Sequence, residues 1–233
     1  LNIEKNRIKI EAGDIQGVNH GLASLLQLIM TAKDAQLPVL TIQDKPAFGY
    51  RGLMLDCARH FWTVDELKET LDHMAFFKLN TLHMHLTDNQ AWRLSMDKYP
   101  DLVKEGTYYY DFPELSGKYY SKEDLKEIVT YAGTRGIEII PEVDLPGHSI
   151  ALLAALPELS CRGGKFEATP EERDWNKRKR GNENMICIGN PQSFAFAEDV
   201  IDALIEIFPS QYIHFGGDEV PTDIWEECPK CMA

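Results

Sequence analysis

The stretch Thr81-Leu-His83-Met-His85-Leu-Thr-Asp88-Asn-Gln90 (residues 81–90) opens as a β-strand and closes in a polar cluster. Thr81 to Leu86 is a short run of strand length. Side chains alternate along a strand, so His83 and His85 share one face, and Asp88 stands just past the strand end. The same plan recurs on both sides of it. Arg51 to Asp56 reads as a strand followed by Asp56 and Arg59. Ile137 to Val143 is followed by Glu142, Asp144 and His148, and Tyr212 to Phe215 by Asp218 and Glu219.

Helical patterns separate these strands. Thr63 and Glu66 form a capping-box signature ahead of a stripe of Leu67, Leu71, Met74 and Phe77. Ser121 caps a helix with Leu125, Ile128, Val129 and Ala132 on its apolar face, ended by Gly136. Leu145 to Leu156 reads as a short helix. Asn190-Pro191 is an N-cap followed by proline at the first helical position, with Phe194, Ala197, Ile201, Leu204 and Phe208 as the core face. Four strands alternating with helices predict a parallel sheet of the α/β class. No Gly-x-Gly-x-x-Gly follows the first strand, which removes the dinucleotide-binding version of an open sheet. Polar residues after every strand are the pattern of a (β/α)8 TIM barrel, which takes roughly 250 residues. Residues 45–233 therefore read as its first four β/α units, with the second half of the barrel missing. Residues 1–44 carry a strand at 7–12, a helix at 18–33 with Leu22, Leu25, Leu26 and Ile29 on one face, and a strand at 38–42. They read as the C-terminal part of a small non-catalytic α+β domain.

The 233 residues carry a formal net charge of −13, which argues against nucleic acid as a partner because phosphate neutralisation needs clustered Lys and Arg. The one basic run, Lys177-Arg178-Lys179-Arg180, reads as a solvated loop. No apolar run reaches the roughly 18 residues of a membrane span. Five cysteines are too few for a disulfide scaffold. Cys228-Pro-Lys-Cys231 has metal-ligand or redox spacing but no second such pair, and Cys161 and Cys187 flank one loop that would allow pairing in an exported chain. No metal and no cofactor is expected.

Asp218-Glu219 is the most chemically loaded pair. Adjacent carboxylates in a dry site split their pKa values into an acid and an anion, and Gly216-Gly217 lets the strand turn so that both reach one ligand. The bland alternative is a solvated strand-to-loop junction. His83 and His85 suit either a metal or sugar hydroxyls. Arg51 opens the first strand, where a guanidinium is able to fork to two hydroxyls. Trp62 and Trp92 fit a sugar face or the core.

Arg51-Gly, Asp56-x-x-Arg59-x-Phe61, Leu79-Asn-Thr-Leu-His83-x-His85-x-x-Asp88-x-Gln90-x-Trp92, Pro141-Glu-x-Asp144-x-Pro-Gly-His148 and His214-x-Gly-Gly-Asp218-Glu219 occur in the order that resembles glycoside hydrolase family 20. Asn89 and Ala91 depart from it, standing where that family more often has Asp and Gly. The resemblance implies a retaining exo-β-N-acetylhexosaminidase acting on N-acetylhexosamine-terminated glycans or chitooligosaccharides, with the sugar's own acetamido oxygen attacking C1. It implies Glu219 as general acid and base, and Asp218 as the residue orienting the acetamide. Arg51, Asp88 and His148 become the substrate-binding set, Arg51 on the hydroxyls and the other two behind Glu219. His85 and Asp144 shape the pocket. The substrate class implies an extracellular or periplasmic location. Two alternatives compete: a carbohydrate-binding protein without turnover on the same scaffold, and a metal-dependent hydrolase using His83, His85 and Asp88.

Overall fold

The computed structural model describes residues 1–109, 111–168, 184–220 and 222–233. The basic run Lys177–Arg180 lies outside the described residues. Near the N-terminus, β1 (Asn2–Glu4) pairs antiparallel with both β2 (Arg7–Lys9) and β3 (Leu40–Thr41), Ile3 standing opposite Ile8 and Leu40. β1 is too short to show a period in the sequence. Helix α1 (Ile15–Thr31) starts where Asp14 accepts the Gly17 N–H at 2.7 Å.

Strands β4 (Gly52–Asp56), β5 (Thr81–His85) and β6 (Glu138–Glu142) form the second sheet in that order. It is parallel: the β5 start bonds the β4 start through Asn80 N–H to Arg51 O at 2.9 Å, and the two ends meet through Cys57 N–H to His85 O at 2.9 Å. Helix α2 (Val64–Phe76) begins in the expected capping box, Thr63 and Glu66 bonding each other's backbone N–H, and buries Leu67, Leu71 and Met74. Phe77 falls just past it and is exposed. After a short α3 (Asp101–Lys104), helix α4 (Lys122–Gly133) is capped by Ser121 and Asp124 in the same reciprocal way. Helices α5 (Ile150–Ala155), α6 (Pro191–Ile207) and α7 (Asp223–Glu227) follow.

Three expectations change. Tyr212–Phe215 is not a full fourth strand. His214 makes one parallel bridge with Glu142, through His214 N–H to Pro141 O at 3.0 Å and Val143 N–H to His214 O at 3.1 Å. The next bond, Leu145 N–H to Phe215 O, is already out of register. Gly216 and Gly217 take φ of 59° and 85°, which no ladder accommodates. The buried face of α6 is Phe196, Val200, Leu204 and Ile207, not the stripe through Phe194, which is exposed. That helix is apolar on several sides, and the Phe196 ring, 5.7 Å from Trp92 and 5.1 Å from Tyr99, decides its rotation. On α1, Leu22, Leu26 and Ile29 remain about half exposed, and Ala23 is the residue that buries.

The chain divides into two compact units. One comprises Leu1–Leu53, Thr63–Leu82 and Ile128–Ile139; the other comprises Met54–Trp62, His83–Glu127 and Ile140–Ala233. The division runs through β4, β5 and β6. In the first unit, α1 packs on α2, with Gln27 donating to Phe76 O at 2.8 Å. In the second, Met84, Leu86, Trp92, Leu94, Phe196 and Val200 are buried. No helix among the described residues is long and apolar enough to cross a membrane.

Candidate active site

The carboxyl ends of the three strands deliver their polar residues into the second unit. Buried Arg93 organises the backbone there. Its guanidinium donates to Cys57 O at 3.1 Å, Ala58 O at 2.9 Å and Lys118 O at 2.6 Å, holding the loop after β4 in place. Asp56, the last residue of β4, accepts through Oδ1 the N–H of Ala58 and Arg59, and the loop carries Arg59 itself.

Asp88 is the hub. Its Oδ1 accepts the Asn89 N–H at 2.6 Å and lies 3.1 Å from His148 Nδ1. Its Oδ2 lies 2.9 Å from His85 Nε2 and 2.8 Å from Arg59 Nη1. On the other side of its ring, His85 Nδ1 is 2.9 Å from Glu142 Oε2, which also lies 2.6 Å from His83 Nε2. Burial opposes charge on His85, but with a carboxylate at each nitrogen its pKa rises to about 10, so the ring is an imidazolium. Burial likewise works against ionised Asp88, and the bonds from His148 and His85 overturn it, bringing Asp88 down to about 2. Glu142 is held below the carboxylate range by the same competition, with His83 and His85 winning over burial.

His148 carries this buried network outward. Its bond to Asp88 raises its pKa, and its Nε2 faces Glu219 Oε2 at 3.4 Å and Asp218 Oδ2 at 3.6 Å. Both His148 and Glu219 have positive φ, 47° and 48°, a conformation rare outside glycine and concentrated at functional sites. Asp144 accepts the Gly217 N–H at 3.0 Å, and a Cβ on Gly216 would stand 2.1 Å from its Oδ1, so glycine there is a steric requirement. Burial pushes the Asp144 carboxyl up to about 6; the Gly217 N–H opposes this and the Asp218 charge adds to it.

The structure thus brings together Asp88, His148, His85, Asp144, Asp218 and Glu219. It does not bring Arg51 to them. Arg51 precedes β4, and its guanidinium donates to Lys78 O at 2.8 Å and Phe48 O at 2.7 Å, with His20 Nε2 at 3.3 Å. The arginine at the carboxyl end of β4 is Arg59, bonded to Asp56 Oδ2 at 3.0 Å and, through Nε, to Gln90 Oε1 at 3.1 Å. Arg59, Glu142 and Asn89 are site residues to which the sequence reading assigned no role, although Arg59 and Glu142 stand in the quoted motifs. Asn89 is held by Ile150 N–H at 3.2 Å and presents Nδ2 to His148 at 3.3 Å. Trp92 belongs to the core, with its indole N–H on Leu94 O at 2.7 Å. The metal set His83, His85 and Asp88 does not assemble as such, because Glu142 stands between the two histidines.

Comparison with known proteins adds three findings. Residues 48–233 match the model of the glycosyl hydrolase family 20 catalytic domain. The chain is 39% identical to a β-hexosaminidase of Porphyromonas gingivalis, covering 100% of the chain and 30% of that protein, and 40% identical to one of Akkermansia muciniphila, covering 99% and 47%. Among solved structures, a β-N-acetylhexosaminidase from Bacteroides fragilis superposes with a TM-score of 0.87 at 34% identity, over 99% of this chain and 44% of the other. A Vibrio harveyi exo-β-N-acetylglucosaminidase in complex with N-acetylglucosamine gives 0.84 at 36% identity, over 99% and 37%. The chain spans less than half the length of these relatives.

Proposed function

The chain belongs to glycosyl hydrolase family 20, whose catalytic domain is a TIM barrel, and on that premise we propose that it supplies the acid–base half of a retaining exo-β-N-acetylhexosaminidase. The substrates are terminal N-acetylglucosamine or N-acetylgalactosamine residues of glycans or chitooligosaccharides, met outside the cytoplasm. Residues 45–233 are the first four β/α units of the barrel, and 1–44 the end of a small preceding domain.

The observation that carries this reading is the line Asp88–His148–Glu219, with Asp218 beside it. In the first step the acetamido carbonyl oxygen of the bound sugar attacks C1 while Glu219 protonates the departing glycosidic oxygen. The product is a fused oxazolinium ring, and its positive charge is met by the Asp218 carboxylate, which also accepts the acetamido N–H. In the second step Glu219, now a carboxylate, takes a proton from water as the water opens the ring at C1. Two inversions give net retention. His148, fixed by Asp88, orients Glu219 between the two steps. Arg59 replaces Arg51 as the guanidinium that grips sugar hydroxyls.

The test is an aryl β-N-acetylglucosaminide assay of the full-length protein. Glu219→Gln is expected to cost ~10²–10⁴-fold in kcat/KM, the usual worth of a general acid. Activity equal to wild type sinks the acid assignment. An aryl glucoside lacking the acetamide is expected to be inert with the wild type; comparable turnover of it would remove the substrate-assisted mechanism. Sugar binding without turnover by the wild type would favour the carbohydrate-binding alternative.

A further inference from the structure

Away from the acid–base cluster, four of the five cysteines converge. Cys161 sits in the turn after the 3-10 segment Pro157–Leu159, Cys187 in the loop before α6, and Cys228 and Cys231 in the turn after α7. Their Sγ atoms all lie within 4.8 Å of one another. The near contacts are 3.5 Å for Cys187–Cys231, 3.6 Å for Cys161–Cys231 and 3.8 Å for Cys187–Cys228. A tetrahedron with metal–sulfur bonds of about 2.3 Å has sulfur–sulfur edges of about 3.8 Å. Cys231 lies almost equally far from Cys161 and Cys187, as a vertex of a tetrahedron does and as a member of one sulfur pair does not.

Bonds that do not involve sulfur build the frame. Cys187 N–H donates to Leu159 O at 2.7 Å, tying the Cys187 loop to the Cys161 turn. Gly163 N–H donates to Ser160 Oγ at 2.7 Å, which closes that turn. Trp225 Nε1–H donates to Ile186 O at 3.0 Å, fixing α7 to the Cys187 loop. Gly189 permits the closest approach: a Cβ there would stand 2.1 Å from Lys230 O. Its N–H donates to Cys231 Sγ at 3.4 Å. Cys187 and Cys228 are buried.

We propose that Cys161, Cys187, Cys228 and Cys231 bind one structural zinc ion. Zn²⁺ displaces four thiol protons and leaves a closed four-thiolate site with no position for substrate or water. The site is independent of the glycosidase reading, and its role is architectural. It clamps the chain nine residues beyond Glu219 to the Cys161 turn and to the Cys187 loop before α6, so the segment carrying Asp218 and Glu219 is anchored at its exit. Binding also protects the four thiols from oxidative pairing.

The experiment is elemental analysis of the full-length protein, purified without chelator and freed of any metal-binding tag. One zinc per chain is expected, released by an organomercurial as the four thiols are titrated. Cys187→Ser and Cys231→Ser are expected to lose the metal, and Cys57→Ala, at the fifth cysteine, to keep it. Should the ligand variants fail to fold, cobalt exchanged into the wild type reads the ligand set directly. Thiolate-to-cobalt charge transfer and intense visible bands of a tetrahedral site support the proposal. A metal-free protein whose mass is lower by four hydrogens, showing two disulfides, overturns it. So do four thiols that react freely after zinc has been supplied. Metal content is read without reference to turnover, so failure of the glycosidase reading leaves it intact.

Discussion

Asp88 and Glu219 carry the same functional group in opposite surroundings. The Asp88 side chain is 1% exposed and that of Glu219 is 77% exposed, with Asp218 at 63%. Around Asp88 every neighbour is prescribed: two histidines, one guanidinium and one backbone N–H determine its charge and direction. Among the described residues Glu219 meets buried His148, and its side chain is largely exposed. The difference divides the labour. The buried half holds fixed charge at fixed positions, where Coulomb interactions are weakly screened. The exposed half meets solvent in this chain.

The sharpest way to break this comparison is to make the same isosteric change on both sides. Asp88→Asn strands His85 and His148 without their carboxylate, and breaking a buried ion pair costs ~3–5 kcal/mol. Glu219→Gln removes an exposed charge and is expected to alter stability by no more than ~0.5 kcal/mol. Urea unfolding of the two full-length variants measures both; equal losses would erase the distinction.

A pH series comes next. His85 has a folded-state pKa of about 10, above the ordinary 6.5, so its contribution is complete below pH 6.5 and disappears as pH climbs to about 10. Asp88, depressed to about 2, contributes fully above pH 4 and loses its share as pH falls toward 2. Stability is therefore expected to decline by roughly 2 kcal/mol on the alkaline side, and His85→Gln to flatten that limb. An unchanged alkaline slope in the variant would show that His85 is not the group responsible.

Asp144 provides an internal contrast of the opposite sign. Its pKa is raised to about 6, so the folded state holds the proton more tightly than the unfolded chain, and stability falls as pH rises from about 4 to 6. Asp144→Asn is expected to gain about 1 kcal/mol at pH 7, seen as a higher Tm there but not at pH 4. The smallest effect is predicted for Arg51. Arg59→Lys is expected to raise KM through loss of a forked donor, whereas Arg51→Lys leaves KM where it was; a KM change at Arg51 instead would return the sugar-binding role to it.

Much of this was legible before any coordinates. Thr63 with Glu66, and Ser121, announce two helix starts, because a capping bond closes within three residues. The clusters after each strand point to one end of a parallel sheet, and the order of the motifs resembles one family. The α6 face is not legible in the sequence because several of its sides are apolar, and the rings of Trp92 and Tyr99 select Phe196. The α1 stripe follows a helical period, yet Leu22, Leu26 and Ile29 stay half exposed, since amphipathicity states what a helix is able to bury and not what meets it.

By itself the sequence determined three strands of the parallel sheet, the main helices between them and the residue types at the strand ends, since these follow from local periodicity and short-range bonds. Which arginine stands at the site was a tertiary decision. Arg51 and Arg59 sit at opposite ends of β4, and its five residues, each rising about 3.3 Å, put roughly 16 Å of strand between those ends. The four cysteines are the stronger case. Only Cys228 and Cys231 are near each other in the chain, and the cluster they form with Cys161 and Cys187 exists because three loops are drawn together by backbone bonds that no spacing rule encodes.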